Sequence, residues 1–515
     1  MDLANLAGNM ALGLSVAFSY TTLLYCFIGV LLGTFVGVLP GIGSLAAIAL
    51  LLPITFHLDP TSAVVMLAGV YYGSTYGGST ASILLNLPGT PSSAVVCLDG
   101  YPMAQQGRAG VALFMTTIAS FVGGSLGIII LMLFAPAIGE FALQFGPAEY
   151  FAMMLLGLVA ASTISAGSPI KGIAMVVLGV LIGIIGTDVN SGTQRLTFDT
   201  PELADGIHLV AIAMGIFGVA EVIASIRNVR HRKVDNKSIT FRSMVPTRDD
   251  WRRSWGPMAR GTAIGSFFGA LPGTGGTIAS FMSYAVEKKV SKDPERFGKG
   301  AIEGIMGPET ANNACDQTAF IPTLTLGIPG SVVMALIIGA LMIHGIAPGP
   351  SLMVENPDLF WGLIMSFWIG NIMLLVINIP LIGVWVRVLS VPHHVLYPII
   401  LMFICMGAYS VNNSNFDVYL VLAFGVIGYL MRVLEFPPAP LLLGLVLGPM
   451  MEEYLRRALL LSRGNFSTFL ESPISATLIC LTGVLLLWSL VALVMPRRPK
   501  VVRSVAPPAA ELSTE

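Results

Sequence analysis

The chain has 515 residues, 55% of them hydrophobic and 11% charged, with a mean hydropathy of +0.82. A soluble protein carries roughly twice that charged fraction, so a soluble enzyme or scaffold is excluded. The formal net charge of −1 gives no bulk attraction for nucleic acid. The expected class is an all-α polytopic membrane protein built from two homologous repeats of inverted topology, with re-entrant hairpins and broken helices.

In chain order, "MDLANLAGNM" lacks a basic start and a small-residue cleavage site, which reads as mature protein rather than signal peptide. The first repeat is expected over 1–226. It opens with "GVLLGTFVGVLPGIG" (29–43), which aligns without a gap to "GTAIGSFFGALPGTG" (261–275), with eight identities in fifteen. Glycines at every fourth position form a face on which a second helix can pack closely. The Leu-Pro-Gly-x-Gly ends are different: proline removes a donor and glycine loosens the chain, so each should break its helix. A polar stretch, "YYGSTYGGSTASILLNLPGTPSS" (71–93), follows, and apolar spans are expected at Val111–Ala135 and Ile207–Ile226.

A basic linker (227–254) comes next. Fifteen of the 27 Lys and Arg residues fall between Arg227 and Lys299, which marks the cytoplasmic side. The second repeat (255–470) carries the second break and then "PETANNACDQTAFIPTLTLGIPGS" (308–331), whose "LGIPGS" echoes "LNLPGT" at 85–90. Further spans are expected at Leu363–Val386, around Val418–Val433, and at Ala476–Val494 within a last transmembrane helix (471–496). The tail (497–515), with Arg497, Arg498, Lys500 and Arg503, is assigned to the cytoplasm with the linker. The loop after the first motif has no Lys or Arg and the loop after the second is strongly basic, so the two hairpins should open to opposite faces. In all, about ten to fourteen hydrophobic segments are expected.

Irregular backbone at membrane depth survives where protein or a water-filled cavity satisfies it, and transporters bind solute and ion at such breaks. Half-helix N-termini offer N–H groups and a positive dipole end to an anion. The candidate substrate-binding residues are therefore Gly41, Gly43 and Ser44 at one tip and Gly273, Gly275, Gly276 and Thr277 at the other. Asn86, Gly89 and Thr90 join them from the first polar stretch, and Asn312, Asn313, Gly330 and Ser331 from the second. A Na⁺ ion could sit near Asn312, Asp316 and Thr325. Asp417, His344 and His393–His394 read as span-end residues, although Asp316 and Asp417 could carry an ion or a proton. The five cysteines, with no CxxC pair, read as small apolar residues packed within helices. Neither tip completes GxGxxG, because Ala46 and Ile278 hold the last position; Gly298-Lys299-Gly300 lacks the rest of a P-loop; and no nucleophile elbow or HExxH is present. An enzyme is a poor reading, and no cofactor is expected.

The paired Leu-Pro-Gly-x-Gly motifs, "YYGSTYGGSTASILLNLPGTP", "GPETANNA" and "TLTLGIPGS" together resemble the large membrane subunit of the tripartite tricarboxylate transporters, the TctA family, over about residues 15–470. The resemblance implies an ion-gradient-driven secondary transporter of the bacterial inner membrane. It also implies a small membrane subunit and a periplasmic solute-binding protein as partners, a carboxylate such as citrate as substrate, and Na⁺ or H⁺ as coupling ion. A passive anion or ion channel built on the same broken helices is the alternative.

Overall fold

The computed structural model describes residues 3–39, 42–164, 168–188, 191–226, 241–389 and 393–494. The helices that build its centre are, in chain order, α1 (Tyr20–Val38), α2 (Gly43–Thr55), α3 (Pro60–Leu85), α4 (Ala109–Ala142), α5 (Arg248–Ala270), α6 (Gly275–Val290), α7 (Glu303–Thr318), α8 (Val332–Ile343) and α9 (Pro357–Asn378). Among the described residues the one sheet is a pair of two-residue strands, β1 (Gly186–Thr187) and β2 (Gln194–Arg195), running antiparallel.

Local chemistry sets the helix ends. The Ser19 hydroxyl accepts from the Thr22 N–H at 3.3 Å to start α1, and Asp59 accepts from Ser62 N–H at 2.9 Å before Pro60 opens α3. Thr247 and Asp250 form a reciprocal capping box at the start of α5. Asn86, in the left-handed region at φ 56°, closes α3.

The glycine stripes decide which helices pair. A Cβ on Gly29, Gly33 or Gly37 would strike the carbonyls of Met66, Val70 and Ser74 respectively, while Gly69, Gly73 and Gly77 of α3 meet α1 backbone in return. Partner numbers rise together, so α1 and α3 run parallel with their backbones in contact. For α3 to begin level with the early turns of α1, the chain must reverse after the Leu-Pro-Gly break and return through α2. Helices α1 and α2 thus form a helical hairpin. Gly37, in the last turn of α1, meets Ser74 about 16.5 Å short of the end of α3, counted from Ser74 to Leu85 at 1.5 Å per residue. The second copy packs alike: Gly261, Gly265 and Gly269 of α5 meet the carbonyls of Gly307, Ala311 and Cys315 on α7, again in parallel.

These pairs cross at the centre. Tyr71 and Thr75 of α3 are level with Asp316 of α7, and Ser79 is level with Glu309, so α3 and α7 run in opposite directions. α4 lies parallel to α7, with Gly123 on Thr310 and Gly127 on Ala314 and Gln317. α9 lies parallel to α3: the Tyr72 and Phe367 rings stand edge to face at 5.1 Å, and the Tyr76 hydroxyl donates to Asn371 Oδ1 at 2.5 Å. Every residue of α7 from Gly304 to Thr318 is buried, acids and amides included. Large apolar side chains such as Leu133, Phe134, Val177, Phe403, Val426 and Leu487 face outward. Apolar outside and polar inside is the arrangement of a membrane protein.

Four described helices are long and apolar enough to span a bilayer, Tyr20–Val38, a helical run within Pro91–Ala142, Pro357–Asn378 and Asn415–Val433, and eight shorter apolar helices accompany them. The expected span Leu363–Val386 is corrected: α9 stops at Asn378, and a separate helix starts at Ile382, because Pro380 cannot supply its N–H to the ladder. The span Ile207–Ile226 contains a widened π turn at Met214–Val219. α5 begins at Arg248, so the last seven residues assigned to the linker form its first two turns; residues 227–240 lie outside the described residues. Cys26 and Cys315 are buried as expected of packing residues, whereas Cys480 is exposed.

Candidate functional site

The two break motifs and their downstream echoes come together within each pair. The Gly89 N–H lies 3.4 Å from the Gly78 carbonyl, and Gly89 is seated against the Gly37 carbonyl, so "LPGT" folds back beside the first hairpin turn. In the second pair the Gly273 N–H donates to the Gly330 carbonyl at 3.0 Å, and Gly330 lies on Ala319. Gly275 sits at φ +66° at the start of α6, a conformation for which an L side chain would be strained.

The second hairpin turn faces α7. A Cβ on Gly276 would collide with Asn312 Oδ1 and come within 3.3 Å of Asp316 Oδ1, and one on Gly275 would lie 3.9 Å from the Ser331 Cβ. Asn312 is 1% exposed, and both its amide atoms lack a hydrogen-bond partner. Asp316 accepts from the Tyr71 hydroxyl at 2.5 Å and the Thr75 hydroxyl at 2.8 Å. Asp316 is thus an acidic group, 2% exposed and held by neutral donors, next to an unpaired amide at a helix break.

One helical stage away, Glu309 is clasped by Ser79, Ser120 and Asn313. Asn371 of α9 accepts from Tyr76 and donates to the Phe121 carbonyl at 3.1 Å and the Ser125 hydroxyl at 3.0 Å. Buried Gln317 Oε1 and Tyr72 hydroxyl have no partner, so this polar core is incompletely satisfied.

Of the residues singled out in the sequence, the structure gathers Gly273, Gly275, Gly276, Asn312, Asp316, Gly330 and Ser331 around the second turn. Ser331 caps α8, accepting from Met334 N–H at 3.4 Å. Thr277 is half-buried on the first turn of α6. Asn313 points instead to Glu309 and Ser120. At the first turn Gly41 lies outside the described residues. Gly43 has φ +70° and no atom within 4 Å of where a Cβ would sit, and Ser44 is half-buried beside it. Space is thus open beside Gly43. Gly89 and Thr90 are buried, while Asn86 is exposed as the α3 cap. Thr325 is removed from the expected ion site: its hydroxyl donates to the Ile321 carbonyl at 2.7 Å and its methyl faces Gly139, because nine residues of chain carry it along the bundle from Asp316. Asp417 occupies the first turn of Asn415–Val433 and accepts from Asn412 at 2.7 Å, a helix-end role. Glu309, Tyr71, Tyr76, Ser120 and Asn371 were not among the expected site residues. The available signal was the seven-residue spacing of Glu309 and Asp316, which sets two acids on one face of one helix.

A bundle of apolar-faced helices around a buried acidic and amide-rich centre, entered by helix breaks, defines a polytopic membrane protein of the transport class. The chain belongs to the tripartite tricarboxylate transporter TctA family, whose model matches residues 23–443. This is a transport family with partner subunits, not an enzyme family. An uncharacterized 52.8 kDa protein in the TAR-I ttuC' 3' region of Agrobacterium vitis is 48% identical over 497 residues, covering 96% of this chain and 99% of that protein. A second uncharacterized protein, in the TAR-II ttuC' 3' region of the same organism, is 52% identical over 237 residues, 46% of this chain and 98% of its own length. No solved structure matches this chain.

Proposed function

We propose that the protein is the large membrane subunit of an ion-gradient-driven importer of carboxylates, a tricarboxylate such as citrate or a related organic acid, in a bacterial inner membrane. It works with a small membrane subunit and a periplasmic solute-binding protein. Its halves, 1–226 and 255–470, are homologous and inverted, with the linker and C-terminus cytoplasmic. The spacing of the packing pairs supports duplication. The step from Gly29 to Gly261 is 232, while Met66 to Gly307 and Leu85 to Leu326 are both steps of 241. The opposed directions of α3 and α7 support inversion.

The observation that carries the carrier reading is Asp316, buried at the crossing of α3 and α7 and facing the second helix break with unpaired Asn312. A coupling cation, Na⁺ or H⁺, is held there. The carboxylate lies toward the N–H groups at the turns, because an ionised aspartate repels it. Proteoliposomes holding this chain with its two partners are expected to concentrate the carboxylate when an inward Na⁺ or H⁺ gradient is imposed, with saturable kinetics. Flux that runs only downhill and never saturates would establish the channel instead.

A further inference from the structure

We propose that Glu309 is a proton-binding site, separate from the Asn312–Asp316 cradle, whose occupancy depends on how the two halves pack. Glu309 is 1% exposed. Its Oε2 accepts from the Ser79 hydroxyl at 2.6 Å, and its Oε1 accepts from the Ser120 hydroxyl at 2.7 Å and the Asn313 amide at 3.2 Å. The same amide also donates to Ser120 Oγ and to the Glu309 carbonyl, both at 3.0 Å. All these donors are neutral, and Glu309 forms no ion pair among the described residues.

The titratable and charged groups on the helices packed around it leave it without a counter-charge. Its own helix carries Cys315, Asp316 and, at its start, Glu303, which is paired with Arg253 and Arg296; α3 carries Tyr71, Tyr72 and Tyr76, and α4 carries only Glu140 near its far end. α5 and α6 contribute Arg260 and Glu287, which are bound to each other. Asp99, on Cys97–Met103, is held by backbone N–H groups at 298–301.

The clasp suits a proton rather than a metal. A hard cation needs several oxygen lone pairs converging on it, but here two hydroxyls and an amide already aim hydrogens at the carboxylate. The unpartnered acceptors on this helix lie on other residues, on Asn312 toward Gly276 and on Glu303 and Gln317. The chemistry is one step: H⁺ adds to a carboxylate oxygen to give the neutral acid, and leaves as H⁺ without any other bond changing. Ser79 and Ser120 belong to the first half and Glu309 to the second. A shift of α7 along α3 and α4 therefore withdraws donors that favour the ionised form, and proton binding in turn favours that shift.

The test reads the proton directly and needs no substrate. Protein in nanodiscs is titrated while the protonated-carboxyl C=O band is followed by infrared difference spectroscopy. The wild type is expected to show a band that appears with acidification; Glu309→Gln, the near-isostere of the neutral acid, removes it, and Asp316→Asn leaves it. Ser79→Ala, which deletes one donor to the ionised form, moves its midpoint upward by about one pH unit. A band unchanged in Glu309→Gln, or a Glu309 carboxyl whose state never varies with pH, overturns the proposal. The inference takes its purpose from the transport reading but fails separately. A titrating Glu309 in a protein that never accumulates solute would sink that reading alone, and accumulation without a titrating Glu309 would sink this one.

Discussion

Burying the Asn312 amide with neither atom paired costs about 1–3 kcal/mol for each group left unsatisfied. A purely structural residue at that position would be better as leucine, which fills similar volume and needs no partner. Asn312→Leu is therefore expected to unfold at the same temperature as the wild type or higher, and to lose at least about tenfold of gradient-driven uptake. A variant that transports normally would remove Asn312 from the site. The sequence made this residue visible, since two adjacent amides in an apolar chain demand several partners. Glu309 and Tyr71 were less visible because their meaning comes from a neighbour more than two hundred residues away. Tyrosine within "YYGSTYGG" reads equally well as packing until α7 places Asp316 against its hydroxyl.

Between elements, backbone contact at the glycine stripes leaves no slack. A side chain at Gly33 meets the Val70 backbone, and at Gly265 the Ala311 backbone, neither of which can rotate aside. Gly33→Leu or Gly265→Leu should cost about 3 kcal/mol or more, measured as lost folded yield and a lower unfolding temperature in detergent. Gly383→Ala is the control: no atom lies within 4 Å of the added carbon, so the change should be neutral or stabilising by up to about 1 kcal/mol. The four-residue glycine spacing identified a packing face in advance, but not which helix fills it or that the pair is parallel. Helix α9 shows the complementary failure. The apolar run through Val386 hid a break that Pro380 signals, because hydropathy counts proline without its missing donor.

For the whole molecule, the crossing of α3 and α7 joins two pairs through hydroxyl–carboxylate contacts, while a firmer clamp lies elsewhere. Asp99, from the first half, accepts from the N–H groups of Gly298, Gly300 and Ala301 at 2.8, 2.9 and 2.8 Å and from the Tyr284 hydroxyl at 2.9 Å. Asp99→Ala should therefore speed amide hydrogen exchange across 298–301 and destabilise the protein by about 3 kcal/mol, with the α3–α7 contacts intact. Composition and charge placement made the all-α membrane class legible, whereas the meeting of residues such as Ser79 and Glu309 needed the packed helices. The central claim is that Asp316 couples the movement of solute to that of an ion. It is tested most directly by comparing the accumulation ratio of labelled carboxylate under an imposed ion gradient, in vesicles of wild type and Asp316→Asn reconstituted with their partners. The expected result is a ratio well above one for the wild type and a ratio of one for Asp316→Asn, with solute exchange preserved. Equal accumulation by both would contradict the claim.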